Sequence, residues 1–310
     1  MAGSDRKIVF LVHTDLDGAC SGAIAKRVLG ENIRIYFSGP RTLAESLSKI
    51  RSCQMLGIVD IALNHNDADA VVEELKRIKE SGCEVLWVDH HEWVDADVKK
   101  VSQLGIKLII EKSPSAASLL YRHLAPNDEI SRKIAEIADD GDSNTNSLEL
   151  TLAYKVGART NADRKKLIEM LARGEFYNEE VEKWKRAVME EEKTIDKLSR
   201  EARTLRTASG LSVAFVDLRR YRIIGSLLAK KLQMAGHNIV FILYADTGGV
   251  LYGDGSVDLL PIALKYNGGG HRNACGVNYK LNLIDRFMLK IYRKYVPAGA
   301  KRILLDLARF

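Results

Sequence analysis

Histidine and aspartate are concentrated in a few short stretches of this sequence. His13-Thr14-Asp15-Leu16-Asp17-Gly18 follows the apolar run KIVFLV, Asp60 closes LGIVD, and Asp89-His90-His91 closes EVLWVD. A fourth stretch, ADDGDSN at 138–144, adds Asp139, Asp140 and Asp142. Brought together, these carboxylates would repel one another and resist ionisation unless a cation neutralised them. Imidazole and carboxylate donors without a thiolate suit manganese or magnesium better than a structural zinc. So many candidate ligands suggest two ions rather than one. Taken singly, each residue has a plainer reading: a strand-end aspartate often caps a helix, and paired histidines often lie at a surface. Three strands each ending in acid or histidine make coincidence the weaker account. His65, His123 and His237 have no such company and read as ordinary polar residues.

The elements that must position these residues are legible as apolar runs. KIVFLV (7–12), IRIYFS (33–38), LGIVD (56–60), EVLWVD (84–89) and KLII (107–110) are short and rich in Val and Ile, and helical periodicity separates them, as in DADAVVEELKRIKE (67–80). Alternation of this kind predicts an α/β fold, a mostly parallel sheet flanked by helices. In such a sheet the C-terminal ends of the strands share one edge, where ligands bind. The fourth stretch is expected just after a helix over 129–138. Residues 161–206 contain 23 charged residues, one glycine and no proline, and read as a long solvated helical connector. A smaller α/β domain then follows, with strands over 211–217 and 238–244, a helix near 224–236 and a glycine-rich stretch reaching 280. The expected division is 1–160, 161–206 and 207–310.

Composition sets the outer bounds. The chain has 310 residues, 46% hydrophobic and 28% charged, which is globular and long enough for two cores. No apolar stretch reaches the roughly 20 residues of a membrane span, and the N-terminus lacks a signal peptide's apolar core, so a cytoplasmic protein with no membrane partner is expected. The four cysteines have no CxxC spacing and read as reduced packing residues. A net charge of +6 suits an anionic partner such as nucleic acid or a nucleotide. Self-association as a homodimer is left open.

In order, HTDLDG, the VD at 59–60, DHH at 89–91, GD at 141–142 and GGGH at 268–271 resemble the successive motifs of the DHH phosphoesterase family with a C-terminal DHH-associated domain. The resemblance spans residues 7 to about 280. It implies a two-manganese hydrolase of phosphoester bonds. By motif, His13 and Asp15 would hold one ion, Asp60 both, and Asp17, His90 and a fourth acid the other. That acid would be Asp142, with Asp139 as second choice, because similar family members carry a GD pair there. His91 would face the scissile phosphate and Asp89 would orient an imidazole. Gly268, Gly269, Gly270, His271 and Arg272 would bind substrate. One departure is visible: a Ser-x-Arg-Ser stretch common in some family members is VLYGDGS here, with Tyr252 near the expected arginine. The implied activity is exonuclease-like hydrolysis of short oligonucleotides or single-stranded nucleic acid ends. The alternatives are a phosphatase acting on a bisphosphorylated mononucleotide and a non-catalytic nucleotide-binding protein.

Overall fold

The computed structural model describes residues 8–292 and 294–310. Contacts divide the chain into two units, 1–188 and 189–310.

The first unit begins with β1 (Ile8–Val12), α1 (Leu16–Leu29), β2 (Ile33–Phe37), α2 (Leu43–Ser48), β3 (Met55–Val59), α3 (Ala68–Glu80), β4 (Glu84–Asp89), α4 (Asp95–Ser102) and β5 (Lys107–Ile110). Its strands form one sheet in the order β2-β1-β3-β4-β5, every pair parallel. Four further helices follow: α5 (Ala116–Leu124), α6 (Glu129–Asp142), α7 (Thr151–Gly157) and α8 (Asn161–Ala172). The sheet is buried on both faces, which is why its strands read as unbroken apolar runs. Strand geometry sends neighbouring side chains to opposite faces: Phe10 and Val12 pack with α1, α5, α6 and α8, whereas Val9 and Leu11 pack with α2 and α3.

Two expectations need correction here. The helix over 129–138 runs on to Asp142, so Asp139, Asp140 and Asp142 lie in its last turns and not after it. Cys53 and Cys83 are not reduced packing residues but a disulfide, with 5.3 Å between their Cα atoms. They precede β3 and β4, whose register pairs Met55 with Glu84; parallel pairing brings together two thiols 30 residues apart. Cys20 and Cys275 are free and buried.

The charged segment 161–206 is shared between the units. Leu167, Ile168, Met170 and Leu171 of α8 belong to the first unit's core. The helix α9 (Glu179–Arg200) contributes Val181 and Trp184 to that core, then Ile195 and Leu198 to the second unit's.

The second unit contains β6 (Arg203–Arg206), β7 (Ser212–Asp217), α10 (Gly225–Met234), β8 (Ile239–Ala245), β9 (Gly248–Gly253), α11 (Leu260–Lys265), β10 (Gly269–His271), β11 (Ala274–Asn278), α12 (Leu283–Ile291) and α13 (Ala298–Ala308). Its sheet runs β10-β11-β9-β8-β7-β6, antiparallel except between β7 and β8. One face packs on α11 and α13 through Ile262, Ala263, Ala300, Ile303 and Leu307, the other on α10 through Leu228, Ala229 and Leu232. No described helix is long and apolar enough to cross a membrane.

Candidate metal centre

Sheet register alone brings three of the motifs to one level. Val12 pairs with Val59, and Val59 with Val88, so His13, Asp60 and Asp89 emerge side by side from the C-terminal ends of β1, β3 and β4. The turn after β1 is built by Asp15, whose Oδ1 accepts from the Gly18 amide at 3.0 Å and caps α1. Gly18 is required there, because a Cβ at this position would sit 2.3 Å from the His13 carbonyl oxygen. Asp17, in the first turn of α1, accepts from the Ala116 and Ala117 amides at 2.7 and 2.9 Å, which fixes its carboxylate at the start of α5.

Around Asp60 the ligand types converge. His13, Asp15 and Asp60 offer atoms close enough to share an ion, as do Asp17, Asp60 and His90, and Asp60, Asp89 and His91. Asp60 belongs to all three groups. His90 Nε2 lies 3.6 Å from Asp17 Oδ2, 3.7 Å from Asp60 Oδ1 and 3.8 Å from Asp142 Oδ2. The other acids of α6 are engaged elsewhere: Asp139 accepts from the Ser115 and Ser118 hydroxyls, and Asp140 from Ser147, Leu148 and Thr151. Of the three, Asp142 is the one beside His90. Asp89 accepts from His91 Nδ1 at 2.7 Å and from the Trp93 indole N–H at 2.6 Å, an orienting contact for the imidazole. His90 Nδ1 is 3.1 Å from the Ser113 carbonyl, which turns Nε2 toward the carboxylates.

The electrostatics fit a cation. Burial, then the carboxylates of Asp17, Asp15 and Asp142, hold Asp60 well above the usual carboxylate range. Asp17 is raised likewise, by burial and then by Asp142 and Asp15, and Asp142 is raised chiefly by burial. Among the described residues, the buried Asp60 Oδ2 has no hydrogen-bond partner. Divalent cations would satisfy that oxygen and remove the repulsion, so the residues fit the metal that their types imply. His91 is pushed up to about 9: burial opposes its protonation, but the adjacent Asp89 carboxylate outweighs it. Asp60 also has φ 62°, a left-handed backbone unusual outside glycine and typical of strained functional positions.

Sequence reasoning missed the supports. Arg164 of α8 is buried, donates to the Thr14 and Ala158 carbonyls and to Asn161, and stacks 4.5 Å from the Phe37 ring. It holds the loop between His13 and Asp15 from 150 residues away. A guanidinium in a charged segment reads as solvated, so no local signal marks it. Trp93, two residues after the histidines, was the one support visible by proximity.

In the second unit the glycine-rich stretch is a hairpin: β10 pairs with β11 across Arg272 and Asn273. Gly268 and Gly270 are demanded by their own neighbours, since a Cβ would meet the Gly276 carbonyl oxygen at 1.8 Å and the Ala274 carbonyl oxygen at 2.7 Å, and Gly270 has φ 125°. Gly269 faces open space and Arg272 is exposed. Tyr252 pairs with Ala274 in the neighbouring strand β9, its hydroxyl 3.4 Å from that of Tyr244. His65, His123 and His237 are spoken for by Asp97, Glu111 and Ser212.

Residues 7–153 match the DHH family, N-terminal domain. No curated protein matches the chain. Among solved structures, a DHH domain described as a member of the s1p family of ribosomal proteins aligns with 98% of this chain and 87% of its own, at TM-score 0.66 and 15% identity. RecJ from Thermus thermophilus, in complex with Mn2+, aligns with 99% of this chain at TM-score 0.58 and 18% identity; the chain spans 52% of it. CDC45 from Entamoeba histolytica aligns at TM-score 0.55 and 10% identity, over 96% of this chain and 95% of its own. At these identities the likeness is one of fold.

Proposed function

Residues 7–153 being a DHH family N-terminal domain, we propose that the chain is a manganese-dependent phosphodiesterase that hydrolyses short oligonucleotides or single-stranded nucleic acid ends. The observation that carries this reading is the position of Asp60, a buried carboxylate common to three ligand groups. His13 and Asp15 would hold one ion, Asp17, His90 and Asp142 the other, and Asp60 both. Bound there, the ions would supply an acidified water and neutralise charge on the phosphoryl oxygens. The remaining work is done by the chain. Asp89 fixes the His91 ring through Nδ1, and His91 would face the scissile phosphate. Asp17, tied to two α5 amides, gives the second site a ligand that does not swing. Arg272, on the exposed turn of the glycine hairpin, would take a substrate phosphate.

Incubation of the chelated protein with manganese, magnesium or calcium and labelled oligomers of graded length, alongside a bisphosphorylated mononucleotide, tests metal and substrate together. Hydrolysis should return best with manganese, because imidazole donors disfavour the hard calcium ion, and short oligomers should be consumed first. Release of phosphate from the mononucleotide alone would establish the phosphatase reading in its place; no hydrolysis with any metal would overturn both catalytic readings.

Arg272→Ala should lower kcat/KM about ten- to a hundredfold, mostly through KM, since a charge-assisted contact to phosphate contributes roughly 1.5–3 kcal/mol. With oligomers the salt dependence should become shallower, one backbone phosphate no longer being neutralised. Kinetics in a salt series check this; unchanged values at every salt concentration would make the hairpin structural only.

A further inference from the structure

The second unit carries an apolar helix face that none of its own core clusters uses. In α12, Leu283 is 82% exposed, Ile284 67%, Phe287 62% and Ile291 67%, and the cap residue Tyr292 is 54% exposed. No α12 residue belongs to an apolar core cluster among the described residues. The helix is nonetheless firmly held. Asn282 and Asp285 form a reciprocal capping box, and the buried Asp285 carboxylate also accepts from the Ala298 amide at 2.8 Å and the Tyr295 hydroxyl at 3.2 Å. Those bonds fasten α12 to the start of α13, whose Ala300, Ile303 and Leu307 are in the core. The exposed residues therefore sit on a preorganised surface, so little ordering entropy would be lost when it is covered.

The spacing on that surface shows what fits it. Leu283, Phe287 and Ile291 form one row at intervals of four, and Ile284, Met288 and Tyr292 form a second row beside it. Two i±4 rows with a groove between them are the surface that another helix of the same kind enters with its own row, the commonest helix pairing in globular proteins. Phe287 is the midpoint of the first row. In an antiparallel pair it would meet its own counterpart, and Leu283 would meet Ile291, the reciprocity that a two-fold interface requires. Five large side chains more than half exposed present on the order of 500 Å² of apolar surface. That is most of the roughly 800 Å² per partner found in stable complexes, and rim residues can complete it. The only acid between 280 and 296 is the buried, bonded Asp285, so α12 itself brings no unpaired carboxylate to the pairing. The cations Arg286 and Lys290 flank the rows on one side.

From these features we infer that a second copy of this chain covers α12, forming a two-fold dimer centred on Phe287. Sedimentation equilibrium or light scattering of the full chain over about 1–100 µM tests it. The wild type should show a monomer–dimer equilibrium. Because like cations approach at the rim, the dimer should tighten several-fold between low salt and about 0.5 M salt. Phe287→Glu should be monomeric throughout with unchanged circular dichroism, and Ile284→Lys should behave in the same way if Phe287→Glu folds poorly. Phe287→Cys should cross-link to itself on oxidation. A wild type that stays monomeric at 100 µM overturns the inference, as does a dimer that both substitutions leave intact. Capture of the monomer on anionic vesicles, abolished by salt and by Phe287→Glu, would overturn it in favour of a lipid surface.

Discussion

Asp60→Asn is expected to lower manganese-supported kcat/KM by about 10³-fold or more while leaving a folded, and at neutral pH a more stable, metal-free protein. Removing a single charge-stabilising group from other active sites costs about 10²–10³-fold, and Asp60 participates in three ligand groups at once. Asparagine is the informative replacement because it tolerates the left-handed backbone at φ 62°; alanine would add backbone strain and confuse the two effects. The stability gain follows from linkage. Asp60 is held above its unfolded value, so between the two values the folded chain binds more protons than the unfolded one, and metal-free stability falls as pH rises through the folded value. Asparagine removes that loss. Thermal unfolding with chelator at pH 5 and pH 8 should show the wild type losing more on the alkaline side than the variant. Added manganese should raise the wild-type Tm far more than the variant's. A variant that retains both turnover and the manganese-induced shift would remove Asp60 from the metal centre.

Gly18→Ala should be the most damaging change outside the ligands themselves. Its Cβ would lie 2.3 Å from the His13 carbonyl oxygen, 2.6 Å from the carbonyl carbon and 2.7 Å from the nitrogen. All three are backbone atoms of a candidate ligand, and none can yield as a flexible side chain would. Relief requires the His13 segment to shift, and a displacement near 1 Å in a reacting constellation costs about 10²-fold. Crowding of this kind also costs about 1–3 kcal/mol of stability. We expect kcat/KM to fall about a hundredfold and manganese affinity, measured by calorimetry, to fall with it, in protein that still unfolds cooperatively. Full manganese affinity together with a lowered Tm would mean that the strain is absorbed by α1 and not by the ligand loop.

Much of the first unit could be read from sequence because its five strands are buried on both faces and so appear as apolar runs, with the candidate ligands directly at their ends. The resemblance placed Asp142 ahead of Asp139; in the structure Asp142 lies beside His90, and Asp139 is engaged by Ser115 and Ser118. What could not be read is held by long-range contacts. The end of α6 is hidden because Asp and Gly are poor helix formers, yet Asp140 is anchored by Ser147 and Thr151. The φ of Asp60 has no signature, as no glycine marks it. Arg164 is indistinguishable in sequence from its solvated neighbours until Thr14, 150 residues earlier, is placed beside it. The glycines of GGGH look open to a ligand, whereas two of the three are dictated by the strand next to them.

The Cys53–Cys83 tie gives two adjacent interior strands of the first sheet a division of labour. It joins the chain just before β3 and β4 begin, and the candidate ligands leave where those strands end, roughly 17 Å further on for a five-residue strand. Durability is thus fastened at one rim of the sheet and reactivity at the other. Closing a loop of about 30 residues contributes roughly 3–4 kcal/mol against unfolding in the chain-entropy account. A thiol reagent in an assay would therefore shorten the working lifetime of each molecule without altering the rate at which a surviving molecule turns over.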